Sequence, residues 1–412
     1  MDITRLEHVR ILMYSHDTFG LGHLRRCRTI AHAIVEQFKG VSVLIISGSQ
    51  IAGAFDFRAR VDFVKIPSVI KLYNGEYDSI GEYIDIDEIL EMRKHIIQRT
   101  AEAFQPDIFI ADKEPLGLKG ELLPTLEMFR DGKTTSILGL RDVMDSPEHL
   151  REEWKKQNVI DYMEQLYDRI WVYGPEGFWD PLDGLKLPQS LRDRVKHTGF
   201  LDREKPAISA SELFHSLPER YILVTAGGGG DGSVLMEQVL AARESDHAID
   251  FPIVMVLGPF MKNENRERIR LRASHLANIT VLDFENRMEA LIVKAEAIIG
   301  MCGYNTFCEA MSFDKKALFV PRITPRKEQY IRAKRATELG LCDMLTPDEA
   351  AVPHTMARKL AALPNNGVPS QKLSETDMSG LETICIEIAE IAGKMRNRLQ
   401  SPTNGFAVVR SA

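Results

Sequence analysis

"VRILMYSHDTFGLGHLRRCRTIAHAIVEQF", residues 9–38, joins a short apolar run to a helical-looking segment through a turn that holds Gly20, Gly22 and His23. A strand that turns directly into a helix is the building unit of a parallel α/β sheet, and such sheets bind ligands at the carboxyl ends of their strands. Glycines at that point let the backbone approach a ligand, and the helix start favours an anion. The dinucleotide fingerprint GxGxxG is not met, because His23 follows the second glycine and no third glycine comes after it. An imidazole at a helix start can take a proton from a hydroxyl near neutral pH. The turn therefore has two readings: a tight βα connection with a locally packed histidine, or a site in which Gly20 and Gly22 face a ligand and His23 is catalytic.

The alternation continues outward from this unit. "VSVLIISG", "VDFVKIP", "PDIFIAD", "TTSILGL" and "DRIWVYG" read as strands, with helices around 86–103 and 120–130 between them. After the polar, proline-bearing segment "HTGFLDREKPAISASELFHSLPER" the pattern restarts with "RYILVTAGGGG", "FPIVMVLGP", "NITVLDF", "AEAIIGMCG" and "KALFVP". A chain of 412 residues is too long for one ordinary core. The pattern predicts two Rossmann-like, doubly wound α/β domains, 1–203 and 204–365. Residues 366–412 then hold a helix, "SGLETICIEIAEIAGKMRNRL", that packs back on the first domain, and a frayed tail from Ser401.

Composition narrows the partners. With 44% hydrophobic and 27% charged residues and a net charge of −7, the chain reads as a globular protein without the positive surface of a general nucleic-acid binder. Its five cysteines are scattered and never in CxxC spacing, which argues against a disulfide framework or a zinc site and for reduced thiols in the cytoplasm. No apolar leader opens the sequence, and no run reaches the roughly 18 apolar residues of a membrane span.

Two further glycine turns occupy matching places in the second half. "VTAGGGGDGS" ends a strand with Gly227, Gly228, Gly229 and Gly230 before a helix from about Ser233. Four glycines in a row cost backbone entropy, which points to close approach of backbone and ligand; the lysine of a P-loop is missing. "GMCGYNTFCEAMSFDKKALFVP" ends a strand at Gly303, starts a helix near Asn305 and offers backbone NH groups and the Thr306 hydroxyl to an anion. Glu309, one turn on, can accept bonds from vicinal sugar hydroxyls, or serve locally at the helix start.

Together "GLGH", the glycine run and "GYNTFCEA…ALFVPRITPRKEQYIRAKRATELG" resemble the family 28 glycosyltransferases of the GT-B fold, most specifically over about 220–345. The resemblance implies inverting transfer from a nucleotide diphosphate sugar, held in a cleft between the domains, to an acceptor hydroxyl. It implies that Glu309 holds the ribose, that Glu328 and Gln329 ahead of Tyr330 touch the donor sugar, and that Gly228 and its neighbours meet the diphosphate. Phe284 and Arg203 then flank the base, uridine by resemblance, and His23 is the general base. No metal and no cofactor beyond the donor are implied. Two positions depart from the peptidoglycan-synthesising member: Gly229 replaces a serine and Glu328 a glutamine.

"GLGHLRRC" is also similar to the opening of UDP-sugar hydrolases of nonulosonic acid biosynthesis, which use water as acceptor. A non-catalytic nucleotide-sugar binder is the third reading. The acceptor is open among a glycan, a small molecule and a lipid-linked molecule met at a membrane surface. Asp85 and Asp87 have DxD spacing but sit at a helix start, where acids favour the dipole. Asp142 and Asp145 are a possible acceptor-site edge. Arg25, Arg26 and Arg28 read as a solvated helix face or an attraction for an anionic acceptor, and Arg332, Lys334 and Arg335 as surface or as neutralisers of the diphosphate.

Overall fold

The computed structural model describes residues 6, 8–16, 21–71, 77–79, 84–206, 217–228, 230–245 and 251–400. Gly20, Gly229 and the tail from Ser401 lie outside the described residues. In the first domain, strands β1 (Val9–Ser15), β2 (Val41–Ser47), β3 (Val61–Lys65), β6 (Ile108–Asp112), β7 (Thr135–Arg141), β8 (Arg169–Tyr173) and β9 (Val195–His197) form one parallel sheet. Its order is β3-β2-β1-β6-β7-β8-β9, and a small antiparallel hairpin, β4 (Val69–Lys71) and β5 (Tyr77–Ser79), stands apart. Helices α1 (Gly22–Gln37), α2 (Ile86–Phe104), α3 (Leu123–Arg130), α4 (Pro147–Lys156), α5 (Val159–Leu166) and α6 (Gln189–Arg192) connect the strands.

The second domain repeats the plan. β10 (Ile222–Thr225), β11 (Ile253–Val256), β12 (Ile279–Leu282), β13 (Ala297–Gly300), β14 (Lys316–Phe319) and β15 (Asp343–Met344) run parallel in the order β12-β11-β10-β13-β14-β15. Its helices are α7 (Ser233–Ser245), α8 (Asn263–Ser274), α9 (Met288–Lys294), α10 (Tyr304–Ser312), α11 (Glu328–Glu338), α12 (Pro347–Ala350) and α13 (Pro353–Ala362). Strands β6, β10, β11 and β13 are buried at every residue, since helices cover both faces of a parallel sheet; hence their near-continuous apolar runs. The two- and three-residue strands β4, β5, β9 and β15 are too short to show a period in the sequence.

In each sheet the order reverses between two central neighbours, β1 and β6 in the first and β10 and β13 in the second. Such switch points open a crevice beyond the carboxyl ends of the strands. The turns quoted above, at Gly22, Gly227 and Gly303, leave from three of those four strands, β1, β10 and β13. The final helix, α14 (Gly380–Gln400), returns to the first domain. There the buried Glu387 accepts from Lys196 Nζ at 2.7 Å and Arg169 Nη1 at 3.0 Å. Where the chain crosses, Phe200 N donates to Asp377 O (2.7 Å) and Gly380 N to Phe200 O (3.0 Å). A Cβ on Gly380 would lie 2.5 Å from the Phe200 oxygen, so only glycine permits that pairing.

Candidate functional site

α1 starts at Gly22, so His23 stands in its first turn and Arg26 lies one turn on, both turned toward β6. Asp112, the last residue of β6 and 1% exposed, receives them together: His23 Nδ1 is 2.6 Å from Oδ2, while Arg26 donates through Nε to Oδ1 (2.7 Å) and Nη2 to Oδ2 (2.5 Å). Burial would raise the Asp112 pKa, but the Arg26 guanidinium and the histidine more than offset it and hold the carboxyl well below the usual range. An ionised carboxylate only accepts, so Nδ1 carries the proton and Nε2 is left with its lone pair. Burial lowers the His23 pKa to about 4, with Asp112 pulling the other way. The imidazole is therefore neutral near pH 7, as a proton acceptor must be. Its side chain stays 16% exposed, enough to be reached.

Asp112 carries no signal of its own in the sequence, where "PDIFIAD" reads only as a buried strand; it enters the site because β6 pairs with β1, Ser15 opposite Asp112. His16 is a second residue that no motif marks. It is 4% exposed, its Nδ1 lies 3.2 Å from the Tyr14 hydroxyl, and its ring stands edge-on to His23 at 5.5 Å between centroids. Burial holds it well below the ordinary imidazole value.

The second domain presents its glycine turns from across the gap. Gly227 adopts φ 62°, and a Cβ on it, or on Gly303, would meet nothing within 4 Å. Gly258, at φ 92°, takes the backbone of Gly227 and Gly228 so closely that a Cβ would lie 2.7 Å from it, and Phe260 N donates to Gly228 O at 2.9 Å. Gly258 is thus a further glycine that this turn requires, unmarked in the sequence because it lies alone in "VLGPF". Gly230 is exposed. Thr306 and Phe284, the latter 36% exposed, line one narrow space with Gly227, Glu309, Leu21 and Arg25. That space measures about 20 Å³.

The remaining candidates make contacts across the domains. Asn305 donates from Nδ2 to Gly22 O (3.0 Å) and accepts at Oδ1 from Arg203 Nη2 (3.2 Å). Glu309, 2% exposed, accepts at Oε1 from Arg25 Nη2 at 2.5 Å, and the same nitrogen reaches Glu289 at 3.1 Å. Burial pushes the Glu309 pKa up, against the pull of Arg25. Glu328 pairs with Arg141 of the first domain and, at 3.4 Å, with Arg322; burial would raise its pKa, but Arg141 and Arg322 hold it below the carboxylate range. Gln329 Oε1 accepts from Arg322 N at 3.2 Å. Arg203 also walls a larger cavity of about 380 Å³, lined by Arg28, His32, Phe55, Arg58 and Asn286, which does not include His23.

Several basic residues are corrected. Arg25 and Arg26 are not a solvated face, because carboxylates distant in sequence bury them; Arg28 is half-buried with its guanidinium 5.0 Å above the Phe55 ring. Arg332 is not on the surface: it is fully buried, forked onto the equally buried Asp142 at 2.7 and 2.8 Å. Arg335 donates to the Gly177 and Phe178 carbonyls, and Lys334 is exposed. Asp85 caps α2 through Asp87 N (2.7 Å), the role read for it. Asp145 accepts from Lys327 N at 2.9 Å, a domain contact.

Residues 221–382 match the glycosyltransferase family 28 C-terminal domain. A UDP-N-acetylglucosamine--N-acetylmuramyl-(pentapeptide) pyrophosphoryl-undecaprenol N-acetylglucosamine transferase of Sulfurihydrogenibium sp. is 24% identical over 157 residues, 35% of this chain. The match spans 42% of that relative's length. Among solved structures, Acinetobacter baumannii MurG superposes with a TM-score of 0.54 at 14% identity, over 94% of this chain and 100% of its own. TcCGT1, solved in complex with UDP, gives 0.62 at 13% identity, over 94% and 100%. No described helix is long and apolar enough to cross a membrane. The chain has the GT-B fold, and its second domain is similar to those of family 28 glycosyltransferases.

Proposed function

We propose that the protein is a glycosyltransferase that moves a sugar from a nucleotide diphosphate sugar, a uridine one by similarity, to an acceptor hydroxyl with inversion. The observation that carries this reading is the placement of a histidine, oriented by Asp112, beside a helix start and glycine turns suited to a diphosphate. Gly22, next to His23, is 3.0 Å from the Asn305 amide of that helix start. His23 Nε2 takes the acceptor proton as the oxygen attacks the anomeric carbon from the side opposite the leaving group. The carbon–phosphate oxygen bond breaks and the nucleotide diphosphate departs. Main-chain NH groups at Gly228 and the start of α10 receive the growing charge without calling on a metal. Glu309 holds the ribose hydroxyls, Glu328 and Gln329 the sugar, and Phe284 the base, while Arg203, bonded to the Leu201 and Asp202 carbonyls and to Asn305 Oδ1, orients Asn305 instead of flanking the base.

A thermal-shift screen of nucleotide sugars tests the donor. UDP-sugars at a hundred times their Kd should add about 2.7 kcal/mol of stability, and Glu309→Ala should remove most of that gain. Stabilisation by no nucleotide sugar would overturn the reading. UDP release in the absence of any acceptor, at the same rate as with candidate acceptors, would identify water as the acceptor and the protein as a hydrolase.

The pH dependence follows from the depressed imidazole. The base works only when neutral, so kcat/KM should stay level from pH 8 through the ordinary histidine value of 6.5, bend near pH 4 and fall tenfold per unit only below that. Folding shows the same sign. A group whose folded pKa lies below its unfolded one stabilises the fold above the unfolded value, and that stability drains away as pH drops from 6.5 toward 4. A pH–rate profile with an acid limb at 6.5 would contradict this environment for His23.

A further inference from the structure

We infer that His16 is a second hydrogen-bond acceptor toward the acceptor substrate, so that the molecule taking the sugar presents two neighbouring hydroxyls, one to His23 and one to His16. The inference rests on the proposed role of His23. It starts from a chain of buried polar groups that the mechanism leaves unused. Arg93, fully buried on α2, donates through Nε to Glu121 Oε2 (2.7 Å) and through Nη2 to Oε1 (2.6 Å), and Glu121 is itself 1% exposed. Both oxygens of that carboxylate accept, so the Tyr14 hydroxyl is the donor in its 2.5 Å bond to Oε1. Burial and the nearby Glu121 raise the Tyr14 pKa well above the ordinary phenol value, which keeps that proton in place. The Tyr14 oxygen is then left to accept from His16 Nδ1, 3.2 Å away. His16 therefore carries its proton on Nδ1, and Nε2, on the other edge of the ring, has the lone pair.

The arrangement repeats the one behind His23. There Arg26 forks onto Asp112, which takes the Nδ1 proton directly; here Arg93 forks onto Glu121, and Tyr14 stands between the carboxylate and the imidazole. Both rings thus end in an Nε2 acceptor, and both belong to one strand end. His16 follows Ser15, which pairs with Asp112 in the sheet, and the two rings stand edge-on with centroids 5.5 Å apart. Deprotonating one hydroxyl needs one base. A buried ion pair often stabilises a fold no more than an apolar pair of the same volume, so packing does not account for a polar chain that ends beside the base. Two adjacent lone pairs suit two O–H donors on one rigid frame, which a sugar or another polyol supplies and a simple alcohol does not. The hydroxyl at His23 gives up its proton as it attacks. The one at His16 keeps its proton and only donates, which selects the hydroxyl that is attacked.

The test uses the full chain with the UDP-sugar that stabilises it most, and methyl glucoside, mannoside and galactoside with their monodeoxy counterparts as acceptors. Wild type is compared with His16→Phe, which keeps a ring against His23. In wild type, deleting the hydroxyl beside the attacked one should lower kcat/KM about fivefold, the scale of one neutral hydrogen bond. His16→Phe should lose the same factor on the parent glycoside and nothing more on the deoxy one. Tyr14→Phe, which takes away the acceptor for Nδ1, should show part of that loss, and it decides the matter if His16→Phe does not fold. In nitrogen-15 histidine NMR spectra the resonance missing from His16→Phe should report an Nδ1–H tautomer in wild type and move toward Nε2–H in Tyr14→Phe. Equal losses on deoxygenation in wild type and His16→Phe, or an Nε2–H tautomer in wild type, would overturn the second acceptor and leave His23 in place. UDP release that no glycoside speeds but His16→Phe slows would assign both lone pairs to one water and overturn the polyol. No UDP release under any condition, or full activity in His23→Ala, would instead overturn the reading on which the inference rests.

Discussion

His23→Ala is expected to lower kcat by about 10²–10⁴ while leaving the UDP Kd within about twofold. In the proposed mechanism the imidazole acts from the first domain on the acceptor, and no proposed contact to the nucleotide passes through it, so the loss should fall on the chemical step. Asp112→Asn should cost a similar factor by another route. An amide turned with its NH₂ toward Nδ1 forces the proton to Nε2 and removes the lone pair that the reaction needs; turned the other way, it places that NH₂ against the Arg26 guanidinium. Steady-state kinetics with UDP-sugar, alongside calorimetry with UDP, separates the two quantities. An unchanged kcat in His23→Ala would remove the histidine from the mechanism.

Arg332→Met is expected to destabilise the protein by about 3–5 kcal/mol, the largest effect foreseen for a residue away from the chemistry. Both members of the Asp142–Arg332 pair have side chains 0% exposed, so removing the guanidinium leaves an ionised carboxylate buried without a partner. Arg332 also donates to Cys302 O at 2.9 Å, so that carbonyl loses a donor as well. The double variant Asp142→Leu/Arg332→Met should recover most of the loss, because an apolar pair of similar volume carries no desolvation cost. Urea denaturation of the wild type and the two variants measures both effects, and a single variant as stable as wild type would mean that water reaches the pair.

Much of the fold was legible because parallel strands buried on both faces read as apolar runs, and the glycine turns after them stand out. "VRILMYS" is β1 residue for residue, and Ser233 does begin the helix after the glycine run. The edge strand Asp343–Met344 is two residues long, and no periodicity exists over such a length. In the site, His23 and the glycines announce themselves locally, whereas Asp112 is 89 positions from His23 and becomes its partner only through sheet order. The arginines are the plainest case. A basic run on a helix looks solvated until its partners are known, and those of Arg25 and Arg26 lie 284 and 86 residues away.

The return of α14 to the first domain means that the backbone passes between the lobes twice, side by side, through Phe200 and through Asp377–Gly380. One cut at the domain boundary does not yield two independent pieces. A fragment ending near residue 205 exposes the seat of Glu387 on Lys196 and Arg169, and a matching C-terminal piece carries a helix with no seat. The two halves are better suited to reassembly by complementation than to separate life, with the terminal helix as the clasp.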